Sequence, residues 1–158
     1  MNAKVFTMLY DFLKKAIQRH LRETELLVAQ LNDQLIISKP VEVGRPLGEI
    51  FLHMLRSVEY YLRGLVTNIW EPILYTLATC GTAQAIKSLY DEISVKVEDY
   101  LKQLTPNILT QEIHRFNRPA TKAEILLEMI EHSIHHRGQI TVYYRLLGIE
   151  PASISYII

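Results

Sequence analysis

The sequence predicts an all-α protein, a four-helix bundle, and three observations lead there. Apolar residues return at steps of three and four along four long stretches, the period of an amphipathic helix. Prolines and glycines gather between those stretches, where they remove backbone donors and helical conformations. The chain has 158 residues and is 49% apolar, enough for one hydrophobic core, so it reads as a single domain over 1–158.

The first helix is expected over roughly residues 3 to 31, where Phe6, Tyr10, Leu13, Ile17, Leu21, Leu27, Val28 and Leu31 keep the helical step. The run from Ile37 to Pro46 holds two prolines and a glycine and reads as a loop. The period resumes at Leu47, Ile50, Phe51, Met54, Val58, Tyr61, Leu62 and Leu65, giving a second helix that ends near Thr67. Pro46 suits its first turn, where a missing N–H costs nothing. Trp70, Glu71 and Pro72 break the pattern, and Thr76 to Thr82 reads as a turn around Gly81 that finishes in a helix cap.

A third helix is expected from Ala83 to Leu104, with Thr105-Pro106 ending it. Residues 107 to 119 lack a clean period, and Ile108, Leu109, Ile113 and Phe116 should tuck that segment onto the bundle. Thr121 and Glu124 have the spacing of a capping box, each side chain satisfying an orphan N–H at a helix start. The fourth helix therefore begins there and continues to Leu147, with Gly148 as its stop and Pro151 just beyond. No internal repeat or low-complexity tract interrupts this order.

Composition narrows the function classes. Seventeen basic residues balance seventeen acidic ones, so no net field draws the chain to nucleic acid or an anionic membrane. No stretch approaches the ~20 apolar residues that crossing a bilayer takes. The N-terminal stretch has charges inside its helical pattern and none of the features of a secretion signal. One cysteine, Cys80, can form neither an internal disulfide nor a thiolate zinc site, and no basic neighbour activates it. A cytoplasmic protein is the expectation, and its six histidines are the metal-capable residues.

The fourth helix contains Glu131-His-Ser-Ile-His-His-Arg-Gly-Gln139. At ~100° per residue, His132 and His136 share an arc with Ile125, Met129, Ile140, Tyr143 and Leu147, and so face the core one turn apart. Two imidazoles in that relation can reach one ion, and two hydrogen-bonded core histidines would give the same pattern. His135 lies at the edge of the arc, beside the pair or on the surface. A third histidine, His53, sits on a margin of the second helix with Glu49, Ser57, Tyr60 and Gly64. By itself it would be a half-exposed polar residue. With the pair, three neutral imidazoles can hold one side of a divalent cation and leave other positions to water or substrate. Ser57 and Gly64, and Gly138 on the fourth helix, are small enough to let a neighbouring backbone approach. His20 and His114 read as structural or solvated. Ser133 stands where a zinc peptidase helix has its general-base glutamate, which excludes that class.

His53 within Leu-Gly-Glu-Ile-Phe-Leu-His53, the run His132-Ser-Ile-His-His136-Arg-Gly-Gln-Ile140, and the exit Tyr-Arg-Leu-Leu-Gly148-Ile-Glu-Pro151 together resemble the DinB/YfiT-like family. The resemblance covers most of the chain, more in character than in motif over helix one and residues 105 to 120. It implies an up-down-down-up bundle, usually a homodimer, with a divalent metal, nickel or zinc, held by His53, His132 and His136. Family members include thiol-dependent transferases and isomerases of detoxification. The resemblance therefore implies an S-transferase using a low-molecular-weight thiol, the metal lowering the thiol pKa. The competing readings are a metal-binding dimeric scaffold without turnover and a metal-free helical interaction module.

Around that site, Arg137 is either an anion contact or a surface ion-pair partner, and its angular offset favours the surface. Gln139 either orients a histidine or is solvated. Tyr143 and Tyr60 are the tyrosines placed to support the ligands. Ile130 and Ile134 fall opposite the ligand face, so that strip should be covered by residues 107 to 119 or by a second chain.

Overall fold

The computed structural model describes residues 3–154. Four long helices, α1 (Ala3–Ala29), α3 (Leu47–Thr67), α4 (Ala83–Gln103) and α5 (Lys122–Leu146), are joined by a one-turn helix α2 (Asp33–Ile37), a 3-10 turn at Pro106–Ile108, and the two-residue strands β1 (Glu112–Ile113) and β2 (Ala120–Thr121). α1 packs on α4 and α5, and α3 packs on the same two helices, so α1 faces α3 across the bundle diagonal.

Side-chain ties give the directions. Tyr10 Oη donates to Leu101 O at 2.7 Å and Tyr90 Oη to Leu21 O at 2.8 Å, so α1 and α4 run oppositely. His20 meets Arg137 and Leu27 O accepts from Tyr144 Oη, so α1 and α5 run together. Lys122 Nζ reaches Leu65 O while His53 lies beside His132 and His136, so α3 opposes α5. This is the up-down-down-up arrangement. Its consequence is that the first half of α3 and the middle of α5 meet antiparallel, the contact on which the site is built.

Local chemistry sets the helix ends. Thr121 Oγ1 accepts from Glu124 N at 3.2 Å and Glu124 Oε2 accepts from Thr121 N at 2.7 Å, completing the capping box. Thr82 Oγ1 accepts from Ala85 N at the start of α4, and Asn68 closes α3 in the left-handed conformation at φ 60°. Gly148, at φ 76°, follows the end of α5. α1 stops at Ala29, two residues short of the expected Leu31.

Between the expected end of the first helix and the loop that begins at Ile37, Asn32 Oδ1 accepts from Leu35 N and nucleates α2, while Asp33 Oδ1 accepts from Ala83 N and braces the start of α4. The irregular 107–119 segment contains β1, which pairs antiparallel with β2 just beyond it, Glu112 opposite Thr121 and Ile113 opposite Ala120.

The buried residues form one cluster, with Phe51, Leu52 and Leu62 of α3, Ile93 and Val97 of α4 and Tyr144 of α5 all essentially inaccessible. Burying each such side chain stabilises the fold by ~1.5–3 kcal/mol.

Two packing expectations are corrected. Gly64 admits a ring rather than a helix backbone: a Cβ there would stand 2.3 Å from Trp70. Gly138 meets nothing within 4 Å and faces outward. Of the strip opposite the ligands, Ile130 is buried on the same stripe as Ser133 and Arg137, whereas Ile134 is 45% exposed. No helix among the described residues is long and apolar enough to cross a membrane.

Candidate metal centre

Helical spacing on α5 stacks His132 and His136 one turn apart, and their Nε2 atoms stand 3.2 Å from each other. α3 brings His53 against both, with ring centroids 5.0 Å from His132 and 4.7 Å from His136. One ligating nitrogen from each of the three lies within 4.8 Å of the others, a group that could hold a metal ion. Metal–nitrogen bonds of about 2.0–2.1 Å at tetrahedral angles set neighbouring nitrogens about 3.3 Å apart, so the His132–His136 separation suits one shared ion. Ionised oxygen ligands are lacking among the three, and all-imidazole donation suits zinc, nickel, copper or iron.

The electrostatics favour lone pairs over protons. Partial burial pulls His53 down to about 4, helped by His136 and then Arg56, and pulls His132 down to about 4, helped by His136 and His135. His136 is lowered as well, by desolvation against the opposing hydrogen bond to Gln139. All three are therefore neutral at pH 7, the state that binds a cation. Gln139 Oε1 lies 3.0 Å from His136 Nδ1, so it accepts from that nitrogen and leaves Nε2 with its lone pair. The Nδ1 of His132 is buried without a partner.

His53 has a different neighbour. Arg56 Nη2 faces its Nδ1 at 3.2 Å, while Arg56 Nη1 donates to Tyr75 O at 2.6 Å and lies 3.8 Å from Glu49. A guanidinium only donates, so a His53 that gives Nε2 to an ion must turn its Nδ1 proton away from this contact. Leu77 N donates to Glu49 Oε1 and Tyr75 Oη to Glu59 Oε2, which strap the 68–82 segment along α3 beside His53. The sequence reading missed this strap because a buried glutamate at the helix edge, Glu59, looks like any solvated one until its partners Tyr75 and Lys96 arrive.

Two cavities border the histidines and share His53. One, about 300 Å³, is walled by Arg45, His53, His136 and Gln139. The other, about 370 Å³, has Ser57, Tyr60, Tyr61 and Ile73 against His53 and His132. Tyr60 thus stands at the site. Tyr143 is buried beneath it, its hydroxyl where a Cβ on Gly44 would be, 2.2 Å away. His135 is exposed and lines the first cavity.

Arg137 corrects the expectation of a surface position. It is 8% exposed, donates to His20 Nδ1 at 2.9 Å and forms an ion pair with Glu23. Its offset from the ligand arc points it at α1, because α5 is buried on two sides. His20 is structural: burial, reinforced by Arg137, drops its pKa to about 3 and keeps it a neutral acceptor. His114 is exposed beside Glu112, and Cys80 Sγ meets the Thr79 hydroxyl at 3.8 Å.

Fold and site define the class: a four-helix bundle with a three-histidine candidate metal centre between two antiparallel helices. The profile of the DinB family matches residues 1–158, and the chain belongs to that family. Two uncharacterized proteins of Bacillus subtilis (strain 168) are similar in sequence. YjoA is 27% identical over 133 residues, 82% of this chain and 84% of YjoA, and YrdA is 26% identical over 141 residues, 88% and 83%. Among solved structures, a DinB-like protein of Bacillus subtilis, YjoA, superposes with a TM-score of 0.77 at 24% identity, covering 92% of this chain and 99% of that one. A DinB-like protein of Bacillus cereus ATCC 10987 gives 0.75 at 21% identity, covering 90% and 95%.

Proposed function

We propose that the protein is a divalent-metal-dependent S-transferase that joins a low-molecular-weight thiol to an electrophile in stress or detoxification. Nickel or zinc, held by His53, His132 and His136, is the proposed cofactor. The supporting observation is the 3.2 Å approach of two imidazole Nε2 atoms with a third imidazole against both. An ion held there would act as a Lewis acid that lowers the pKa of a thiol.

The chain's own residues do the rest. Gln139 fixes the tautomer of His136, and low-pKa histidines keep the site free of competing protons. Two cavities meeting at His53 provide separate room for two reactants, one side polar and the other rimmed by tyrosines. In the transfer, the thiol gives up its proton, sulfur forms a bond to an electrophilic carbon, and the leaving group departs with the bonding pair.

The reading places the protein in the cytoplasm, acting on small molecules rather than nucleic acid or membrane, as a homodimer. Met8 and Phe12, one turn apart on α1 and both about two-thirds exposed, and Ile134 on α5 are apolar surface that a second copy would cover. A dimer in sedimentation at micromolar concentration supports this arrangement, and a monomer opposes it.

The test of activity is conjugation of several thiols to a chloronitroaromatic electrophile by purified, metal-loaded protein. Turnover lost in His132→Ala and His136→Ala supports the proposal. Background rates in the wild type with one ion bound per chain contradict catalysis and favour the scaffold of the same fold.

A further inference from the structure

Arg45 stands apart from the other charged groups around the histidines. Arg56 is held by Tyr75 O and Glu49, Glu49 by Leu77 N and Arg56, and Glu59 by Tyr75 and Lys96. Arg45 has neither a carboxylate nor a carbonyl partner among the described residues, yet it lines the same 300 Å³ cavity as His53 and His136. It is near enough to both to depress their protonation. No carboxylate lines that cavity among the described residues.

The placement is built rather than incidental. Gly44 N donates to Val41 O at 3.0 Å in a tight turn, and Leu47 N donates to Ser38 O at 2.9 Å at the start of α3. Between these ties, Gly44 rests on the hydroxyl of buried Tyr143, and a Cβ at 44 would collide with it. Arg45 is thus presented at the rim of the site by α5, the helix that also supplies two of the histidines.

Charge completes the argument. Neutral imidazoles leave the full charge of a divalent ion uncompensated, and a nearby guanidinium adds to it. A ligand that brings a second negative group a few bonds from its donor atom gains from both. We infer that Arg45 is a specificity residue, and that the substrate entering this cavity is a small thiol bearing a carboxylate, which Arg45 receives. The inference rests on the metal-dependent reading above and adds the chemistry of the ligand's far end.

The experiment loads the full chain with cobalt(II) and titrates it with mercaptopropionate and, separately, with mercaptoethanol, following the cobalt–thiolate absorption. Wild type should bind the carboxylate-bearing thiol more tightly, by about fivefold for one exposed ion pair. That preference should shrink at about 1 M salt, where the screening length is ~3 Å. Arg45→Gln should erase the preference while keeping cobalt stoichiometry, helical circular dichroism and mercaptoethanol affinity, and Arg45→Lys should restore part of it. An equal preference in wild type and Arg45→Gln, or none in wild type that binds cobalt, overturns this inference alone. A wild type that takes up no cobalt overturns the metal reading and this inference with it.

Discussion

Two histidine clusters share α5, and they are opposites. Toward α1, His20 is buried with its Nδ1 accepting from Arg137, and Arg137 is paired with Glu23. Toward α3, His53, His132 and His136 are half-buried, two of them set their Nε2 atoms 3.2 Å apart, and cavities open beside them. The first cluster closes on itself and leaves nothing for a ligand. The second could hold one. The difference between a structural and a binding histidine therefore lies in where its nitrogens point, since burial lowers the pKa of both kinds.

That contrast can be broken at either end, and the largest effect belongs to the closed cluster. Arg137→Ala removes the guanidinium from buried His20 and leaves the Glu23 carboxylate only its 3.6 Å contact with Arg19, and should cost about 3–5 kcal/mol in urea unfolding of metal-free protein. A loss under about 1 kcal/mol would show that the cluster is solvated and the contrast false.

Acid should act next. His20 has a folded pKa of about 3, below its unfolded value, so the unfolded chain takes the proton first. Its contribution is whole above pH 6.5 and is lost as pH falls toward 3, on the order of 5 kcal/mol in total at ~1.36 kcal/mol per pH unit. His53 and His132, at about 4, add in the same direction over a narrower window. His20→Asn should flatten the pH profile of stability between those limits, and an unchanged slope would contradict the assignment.

At the open cluster, Gln139→Ala frees the His136 tautomer and should weaken metal affinity by about 10–100-fold, with little change in unfolding midpoint. A shift of midpoint without a change in affinity would make Gln139 structural. The smallest effect is expected at His114, which is exposed beside Glu112: His114→Gln should alter stability by no more than about 0.5 kcal/mol and leave metal binding as it was.

Much of this was legible in the sequence because it is written in local code. The capping box at Thr121 and Glu124, the end of α3 near Thr67 and the stop at Gly148 follow from residues within a few positions. His132 and His136 share a face by spacing alone. His53 was only a helix margin, and its place beside them came from family resemblance, because no local pattern states which helix a margin will meet. Arg137 was misplaced for a related reason. An angular offset from one buried face suggests exposure, but Leu126, Ile130, Ser133, Arg137, Ile140 and Tyr144 form a second buried stripe. The spacing of His20 and Glu23 on α1 was the available signal. The β1–β2 pair and α2 escaped because two-residue strands and single turns have no period to read.

The most direct test of the account is X-ray absorption on protein reconstituted with one equivalent of zinc or nickel, compared with His53→Ala. The account predicts one ion per chain with three imidazole nitrogens at about 2.0–2.1 Å in the wild type and two in the variant. An identical imidazole count in both, or an ion that washes off the wild type, would contradict it.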